Sequence, residues 1–361
     1  MTHDFVVLGA GLMGRLLALS LARQGARVQV HDAHGPEATH SAARAAAAML
    51  APLAESAITE LPVVRMGLHG LQRWPELLAS LPAPVYFQQQ GTLILWHRQD
   101  QAEARRFEGL IRRTHAQLPA LPAPEALDAA RLAEVEPATA GRFSQGLYLP
   151  GEGQLDNRQL LDALHLALQQ AGVELHWHSP VPGHDAASLR AAFPEAGQIV
   201  DCRGLGARVA WSALRGVRGE VVRVHAPGVQ LQRPTRLIHP RYPIYIAPKE
   251  NGLFVIGATE IESEDLSPAS VRSTLELLSA AYTVDSGFAE GRILEIATQA
   301  RPTLPDNLPA LRPLGQGVLQ VNGLYRHGYM ISPAVLDATL QWLATGDSPL
   351  ARQWHLIPQA Q

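Results

Sequence analysis

Three glycines and one acid near the start of the chain stand at a spacing that handles a dinucleotide. Gly9, Gly11 and Gly14 form a G-x-G-x-x-G with Leu12 and Met13 inside it, and Asp32 follows 18 positions after Gly14. Each glycine has its own task. The first permits a tight turn, the second lets a pyrophosphate approach the backbone, and the third lets helix and strand pack closely. An acid roughly 20 residues further on accepts hydrogen bonds from ribose hydroxyls. It also repels a 2′-phosphate, so NADP is not expected, while NAD and FAD both stay open.

Such residues work only on a strand–turn–helix–strand frame. Phe5 to Leu8 is a short apolar run that ends in the glycines. Leu16, Leu17, Leu19, Leu21 and Ala22 then give a helical stretch that stops at Gln24-Gly25, with glycine where a helix C-cap wants one. A second strand, Arg27 to His31, delivers Asp32. The phosphates of a ligand would sit on the free N–H groups and positive end of the helix starting near Leu12.

Composition narrows the classes. The 361 residues, 47% hydrophobic and 17% charged, suffice for two interleaved domains. A net charge of -3 argues against a nucleic-acid partner, which requires a basic face. The single cysteine, Cys202, excludes internal disulfides and a cysteine-rich metal site. His176 and His178 share a strand face, but no third ligand lies near them in sequence, so no metal is expected. Gly9, Gly11, Gly14 and Arg15 interrupt the apolar run at the start and no basic leader precedes it. The expectation is therefore a cytoplasmic protein with no membrane partner.

Further along, Ser41 to Pro52 carries a run of alanines. It reads either as a tightly packed helix or as bare backbone along which another molecule lies. Glu55 to Leu81 reads as one helix, Val85 to Trp96 as two strands around Gly91, 100–117 as a charged helix, and 118–140 as a proline-rich connection with a short helix. Gly146 to Leu155 is turn-rich, Asp156 caps a helix, and Val173 to His178 and Gln198 to Cys202 are strands. Strand patterns over Arg218 to Val224, Leu237 to Pro248 and Gly252 to Gly257 imply a mainly antiparallel sheet, followed by a helix from Pro268 and a strand ending at Arg301-Pro302. Val318 to Asn322 leads into Gly323-Leu324-Tyr325-Arg326-His327-Gly328-Tyr329-Met330, and Ser332-Pro333 reads as the N-cap and first residue of a last helix. The fold class expected is α/β: a Rossmann-like cofactor domain (1–84, 142–215 and 303–361) with an inserted, mainly antiparallel substrate domain (85–141 and 216–302). The strand-rich insertion and the glycine-rich return at the far end favour FAD, whose two ends touch separate parts of a chain.

Taken in order, GAGLMG with Asp32, AAAAML, GLGA, GEVVRV, YIAPKENGLFVIGATE, ARPTLPD and NGLYRHGYMISPA resemble the D-amino-acid oxidase family of FAD flavoproteins over nearly the full length, and most of all its glycine oxidase branch of thiamine biosynthesis. The resemblance implies site residues. Gly9, Gly11, Gly14 and Asp32 would hold the ADP half, with Val181 near the adenine, and Leu12, Met13 and Arg44 would also bind the cofactor. Ala47, Ala48 and Met49 would lie beside the pyrophosphate and flavin. Gly323 with Tyr325, Arg326, His327, Gly328, Tyr329 and Met330 would wrap the flavin's far side, and Gly204 would also bind the cofactor. Arg301 would fork onto the substrate carboxylate, a task suited to guanidinium geometry, and also border the flavin. Tyr245 would touch the same carboxylate, with Tyr242 as its competitor and Arg326 as the reserve cation. The chain also departs from the family pattern: Arg203 and Ala48 stand where smaller residues are usual, the threonine pair before the alanines is missing, and Glu260 replaces an apolar residue.

The implied activity is oxidation of a small amino acid such as glycine, sarcosine or a D-amino acid, with O₂ reduced to H₂O₂. A dehydrogenase with another electron acceptor, an NAD enzyme and a non-catalytic FAD-holding subunit remain as alternatives. A homo-oligomer stays open.

Overall fold

The computed structural model describes residues 3–238 and 244–357. Its first sheet has six strands in the order Ala310–Gly315, Val318–Asn322, Gln198–Asp201, Phe5–Leu8, Val28–His31 and Glu174–His176. All neighbours run parallel except the hairpin of Ala310–Gly315 with Val318–Asn322. Phe5–Leu8 lies in the middle with Val28–His31 on one side and Gln198–Asp201 on the other. Strand order therefore reverses at its C-terminal end, where open α/β sheets bind ligands. The near-continuous apolar runs Val6-Val7-Leu8 and Ile199-Val200 are buried on both faces, as a parallel sheet demands.

Helix Leu12–Arg23 packs on one face with the helices Asn157–Gln170 and Gly328–Thr345. Asp156 caps the second of these, its Oδ1 accepting from the N–H groups of Arg158 and Gln159. The other face is closed by helix Ala186–Ala192 through Leu189.

The second sheet has eight strands, from Arg292–Thr303 at one edge through Arg215–His225, Leu253–Gly257, Ile244–Pro248, Thr235–Leu237, Thr92–Leu95 and Gln145–Leu149 to Glu125–Asp128. It is antiparallel apart from the pairing of Thr235–Leu237 with Thr92–Leu95. Helix Val271–Val284 covers one of its faces. A three-stranded ribbon, Met49–Leu50, Gly153–Leu155 and Phe87–Gln88, lies beside the two sheets. No helix among the described residues is long and apolar enough to cross a membrane.

Several elements differ from the sequence reading. The alanine run is not one helix: Ala42–Ala45 makes a single turn, and Ala46 is already extended. Glu55 to Leu81 is broken, because helix Pro52–Glu55 stops and Leu61–Ala79 starts afresh, with a proline in its first turn. The turn-rich Gly146 to Leu155 contributes the strands Gln145–Leu149 and Gly153–Leu155, and Glu125–Asp128 is a strand inside the proline-rich connection. Gln145–Leu149, placed by sequence in the cofactor portion, pairs into the eight-stranded sheet.

The last helix begins at Gly328, one turn before Ser332-Pro333. Ser332 is therefore not its N-cap. Pro333, inside the helix, has no N–H to give the carbonyl of Tyr329, and the buried indole of Trp74 donates to that oxygen at 2.8 Å instead. Gly70 allows the approach, since a Cβ there would stand 2.1 Å from the Met330 carbonyl oxygen.

Candidate active site

The glycine turn holds the shape its spacing implies. Gly9 has φ +90°, and a Cβ on it would stand 2.8 Å from the Cys202 carbonyl oxygen. A Cβ on Gly14 would come within 1.9 Å of the Gly9 oxygen, so only glycine lets the helix sit against the turn. Gly11 is different. A Cβ there would meet only Ser41 Oγ, at 3.1 Å, so the space before it is not claimed by the rest of the chain.

Gly11 is the N-cap of helix Leu12–Arg23, which has no side-chain cap and no acid in its first turn, and this leaves its leading N–H groups for an anion. Arg44 Nη1 is buried without a hydrogen-bond partner among the described residues. An open glycine, uncapped helix donors and an unpaired guanidinium nitrogen fit the pyrophosphate of a dinucleotide. Asp32 does more than its spacing announces: Oδ2 accepts from Ala10 N–H at 2.6 Å and Oδ1 from His34 N–H at 2.8 Å, tying the second strand to the turn. The fully buried Arg15 braces it from behind through Ala10 O at 2.7 Å and Leu161 O at 2.7 Å.

A pocket opens next to this cradle, between the two sheets. Leu12, Ala47, Ala48, Met49, Tyr245, Arg301 and Tyr325 to Met330 all line it. Ala42, Ala43, Ala45 and Ala46 form one wall, so the alanine run leaves backbone and methyl groups along a slot. Ala48 sits at φ 55°, a left-handed conformation glycine adopts freely, which accounts for glycine being usual there. Lys249, fully surrounded, holds the slot's edge: Nζ donates to Ala47 O at 2.9 Å, Gln154 Oε1 at 2.9 Å and Leu155 O at 2.7 Å. Burial pushes its ammonium down to about 7.

Two glycines in neighbouring strands make room for the site's polar side chains. The Arg301 guanidinium lies over Gly219, where a Cβ would be 2.2 Å from Nη2. The Tyr245 hydroxyl lies over Gly257, where a Cβ would be 2.8 Å away. Arg301 donates to the carbonyls of Thr259 at 3.1 Å and Arg218 at 3.3 Å. Burial raises the Tyr245 phenol, so it stays a neutral donor. Tyr242 lies outside the described residues.

Around these two stands a charged network. Arg326 reaches Glu55 Oε2 at 2.9 Å and Glu260 Oε2 at 3.3 Å, the Tyr325 hydroxyl donates to Glu260 Oε1 at 2.6 Å, and Arg236 pairs with Glu55. Burial pushes the Glu55 carboxyl up, but Arg326, Arg236 and His327 outweigh it and hold the group well below the usual carboxylate range. His327 is pushed down to about 3 by burial, with Arg326 beside it, and is neutral. Glu55, Arg236, Gly219 and Lys249 went unassigned in the sequence. A glycine interrupting a strand, as in Gly219-Glu220-Val221-Val222, is the one signal that pointed to a close approach.

Other expected residues sit away from the pocket. Met13 is buried in the core, and Gly323 forms a turn at φ 79°. Gly204, at φ 56°, accepts from Asn322 Nδ2 at 2.9 Å. Val181 offers its carbonyl to Arg203 Nη1 at 3.0 Å, and Arg203 also pairs with Asp201 at 2.9 Å, which explains a large residue at that position. His176 stacks on His31 with ring centroids 4.3 Å apart, and no group of His, Cys, Asp or Glu among the described residues could hold a metal.

A dinucleotide cradle that opens onto a slot with a waiting guanidinium defines a cofactor-dependent oxidoreductase. Comparisons with known proteins agree: the FAD-dependent oxidoreductase family model, DAO, matches residues 4–340. A Rhizobium etli protein described as a thiamine biosynthesis oxidoreductase, ThiO, is 38% identical over 340 residues, covering 94% of this chain and 96% of its own. Glycine oxidase of Geobacillus kaustophilus is 27% identical over 92% of this chain and 91% of its own. Its crystal structure superposes with a TM-score of 0.82 over 99% of both chains. An iminodiacetate oxidase from Chelativorans superposes with a TM-score of 0.79 at 20% identity, over 99% of this chain and all of its own, which bears on the fold alone. The chain belongs to the DAO family of FAD-dependent oxidoreductases.

Proposed function

We propose that this protein is an oxidase of a small monocarboxylate amino acid, glycine or sarcosine in the first place, and that Arg301 and Tyr245 position the substrate. One observation carries the reading. Among the described residues, Arg301 is the pocket-lining guanidinium that has no carboxylate partner; its polar contacts are two backbone carbonyls. A charged donor fork left over carbonyls, in a slot open to ligand, suits an incoming carboxylate.

Tyr245, held neutral by burial, donates to the same carboxylate and fixes its plane. The alanines line the same pocket as Arg301 and Tyr245 and leave it room for cofactor and substrate. FAD, held by the glycine turn, the N-terminus of helix Leu12–Arg23 and the alanine slot, would supply the two-electron acceptor for the Cα hydride, with O₂ as the final oxidant reduced to H₂O₂. His327, pushed down to about 3, is too weak a base to take the amine's proton near pH 7, and Glu260 is occupied by Tyr325 and Arg326. The amine therefore sheds its proton to solvent before binding. The product imine leaves and hydrolyses to the 2-oxo acid and the free amine, ammonia from glycine and methylamine from sarcosine. The ThiO relative supports a place in thiamine biosynthesis, where the imine itself would be consumed.

The test is a visible spectrum followed by a panel of small amino acids. Bleaching of the flavin by glycine, sarcosine or D-alanine without air, with peroxide formed on readmitting air, is expected. No bleaching by any of them overturns the reading. Bleaching that air does not reverse points to a different electron acceptor.

A further inference from the structure

Resting on that reading, we propose that Glu260 sets the charge of acceptable substrates: by neutralising Arg326 it restricts the pocket to monocarboxylates, and without it Arg326 would admit a second carboxylate. Arg326 stands between two acids. Nη2 meets Glu55 at 2.9 Å and Nη1 meets Glu260 at 3.3 Å, while Glu55 is shared with Arg236. The three guanidiniums of the pocket thus face two carboxylates, and the unmatched cation is Arg301. A monocarboxylate substrate completes the balance; a dicarboxylate would bring one negative charge too many.

Of the two acids, Glu260 is the removable one. Glu55 is buried under Arg236, Arg326 and His327, and its loss would strand two buried guanidiniums. Glu260 is 41% exposed and sits on the pocket's rim, with Tyr325 holding its other oxygen. Taking its charge away frees one arm of a guanidinium that is itself only 14% exposed. Arg326 Nε is also buried without a partner among the described residues, so the group has donor capacity to spare. Arg301, Arg326 and Tyr245 line the same pocket, which places the two cations around one substrate space.

The decisive pair of probes differs by one carboxylate: methoxyacetate and diglycolate, the unreactive ether counterparts of sarcosine and iminodiacetate. Their dissociation constants for the holoenzyme are measured by calorimetry and by flavin absorbance. The parent is expected to favour methoxyacetate. In Glu260→Gln, whose amide oxygen still accepts from Tyr325, the affinity ratio should move at least tenfold toward diglycolate, and Glu260→Met should move it the same way. Adding Arg326→Gln should abolish the gain, because the receiving cation is then gone.

A ratio in both single variants within twofold of the parent overturns the proposal, as does a gain that survives loss of Arg326. Flavin reduction by sarcosine and iminodiacetate is followed in parallel. A shifted binding ratio in a protein that no amine reduces would refute the oxidase reading and leave the role of Glu260 standing. Normal reduction of the parent by sarcosine with an unshifted ratio would do the reverse.

Discussion

Gly219→Ala perturbs the site without replacing a charged residue. The substituted Cβ would stand 2.2 Å from Arg301 Nη2, 2.3 Å from Cζ and 2.6 Å from Nη1, where ordinary contact begins near 3.4 Å. The guanidinium must therefore retreat by about 1 Å, and it can, because it ends a flexible side chain. The fold should survive, since the backbone at 219 is ordinary extended strand paired across to Gln299. The clamp does not survive. A displacement of about 1 Å at a positioning group costs roughly 10²-fold, or about 2.7 kcal/mol of transition-state stabilisation. The assay is anaerobic stopped-flow reduction of the flavin by glycine and sarcosine, with flavin content and Tm as fold checks. Gly109→Ala, where nothing lies within 4 Å, is the control. Parental reduction rates and saturation in Gly219→Ala, at parental flavin content, would refute the claim that Arg301 over Gly219 is the substrate clamp.

Asp32→Ala removes the acceptor for Ala10 N–H and His34 N–H as well as the expected ribose contact, so FAD retention should weaken by roughly 1–3 kcal/mol and the apoprotein should melt earlier; equal FAD affinity would take Asp32 off the ribose. Ala48→Gly relieves a left-handed alanine that costs roughly 1–2 kcal/mol, partly offset by a freer unfolded chain, so Tm should rise slightly, and a fall of several degrees would contradict the strain. Burial raises the Glu152 carboxyl to about 7 from an ordinary 4.5. The folded chain therefore keeps a proton that the unfolded chain has released, and this group's contribution to stability declines as pH climbs between those values. Glu152→Gln, whose amide can still accept from Ala54 N–H, should stabilise on the order of 3 kcal/mol at pH 8 and far less at pH 5; equal gains at both pH values in thermal melts would exclude the buried acid as the cause.

The opening βαβ unit was legible because each of its features is local: strand, turn, helix and acid follow one another within thirty-odd residues. Arg301 and Tyr245 came through the resemblance, and the structure lines one pocket with them. What sequence could not reveal was pairing at a distance. Glu55 and Arg326 are far apart in the chain yet 2.9 Å apart in space, and no periodicity marks either one. The start of the last helix was misplaced because Ser332-Pro333 carries a good N-cap signal, whereas tertiary packing against Trp74 satisfies the carbonyl that Pro333 leaves free. The turn-rich stretch around Gly151 hid two short strands because its glycines dominate so brief a window.

The central claim is that Arg301 receives the substrate carboxylate, and one comparison tests it most directly. Parent, Arg301→Lys and Arg301→Ala, each loaded with FAD, are mixed anaerobically with glycine, sarcosine and D-alanine, and the rate of flavin reduction is followed against substrate concentration. Loss of the partner of a desolvated carboxylate should cost on the order of 3–5 kcal/mol, roughly 10²–10³-fold or more in kcat/KM for the alanine variant. The lysine variant should recover only part, since an ammonium cannot make two parallel hydrogen bonds. The flavin spectrum should persist in all three. Near-parental reduction and saturation in Arg301→Ala would contradict the account and move the search for the carboxylate site to Arg326.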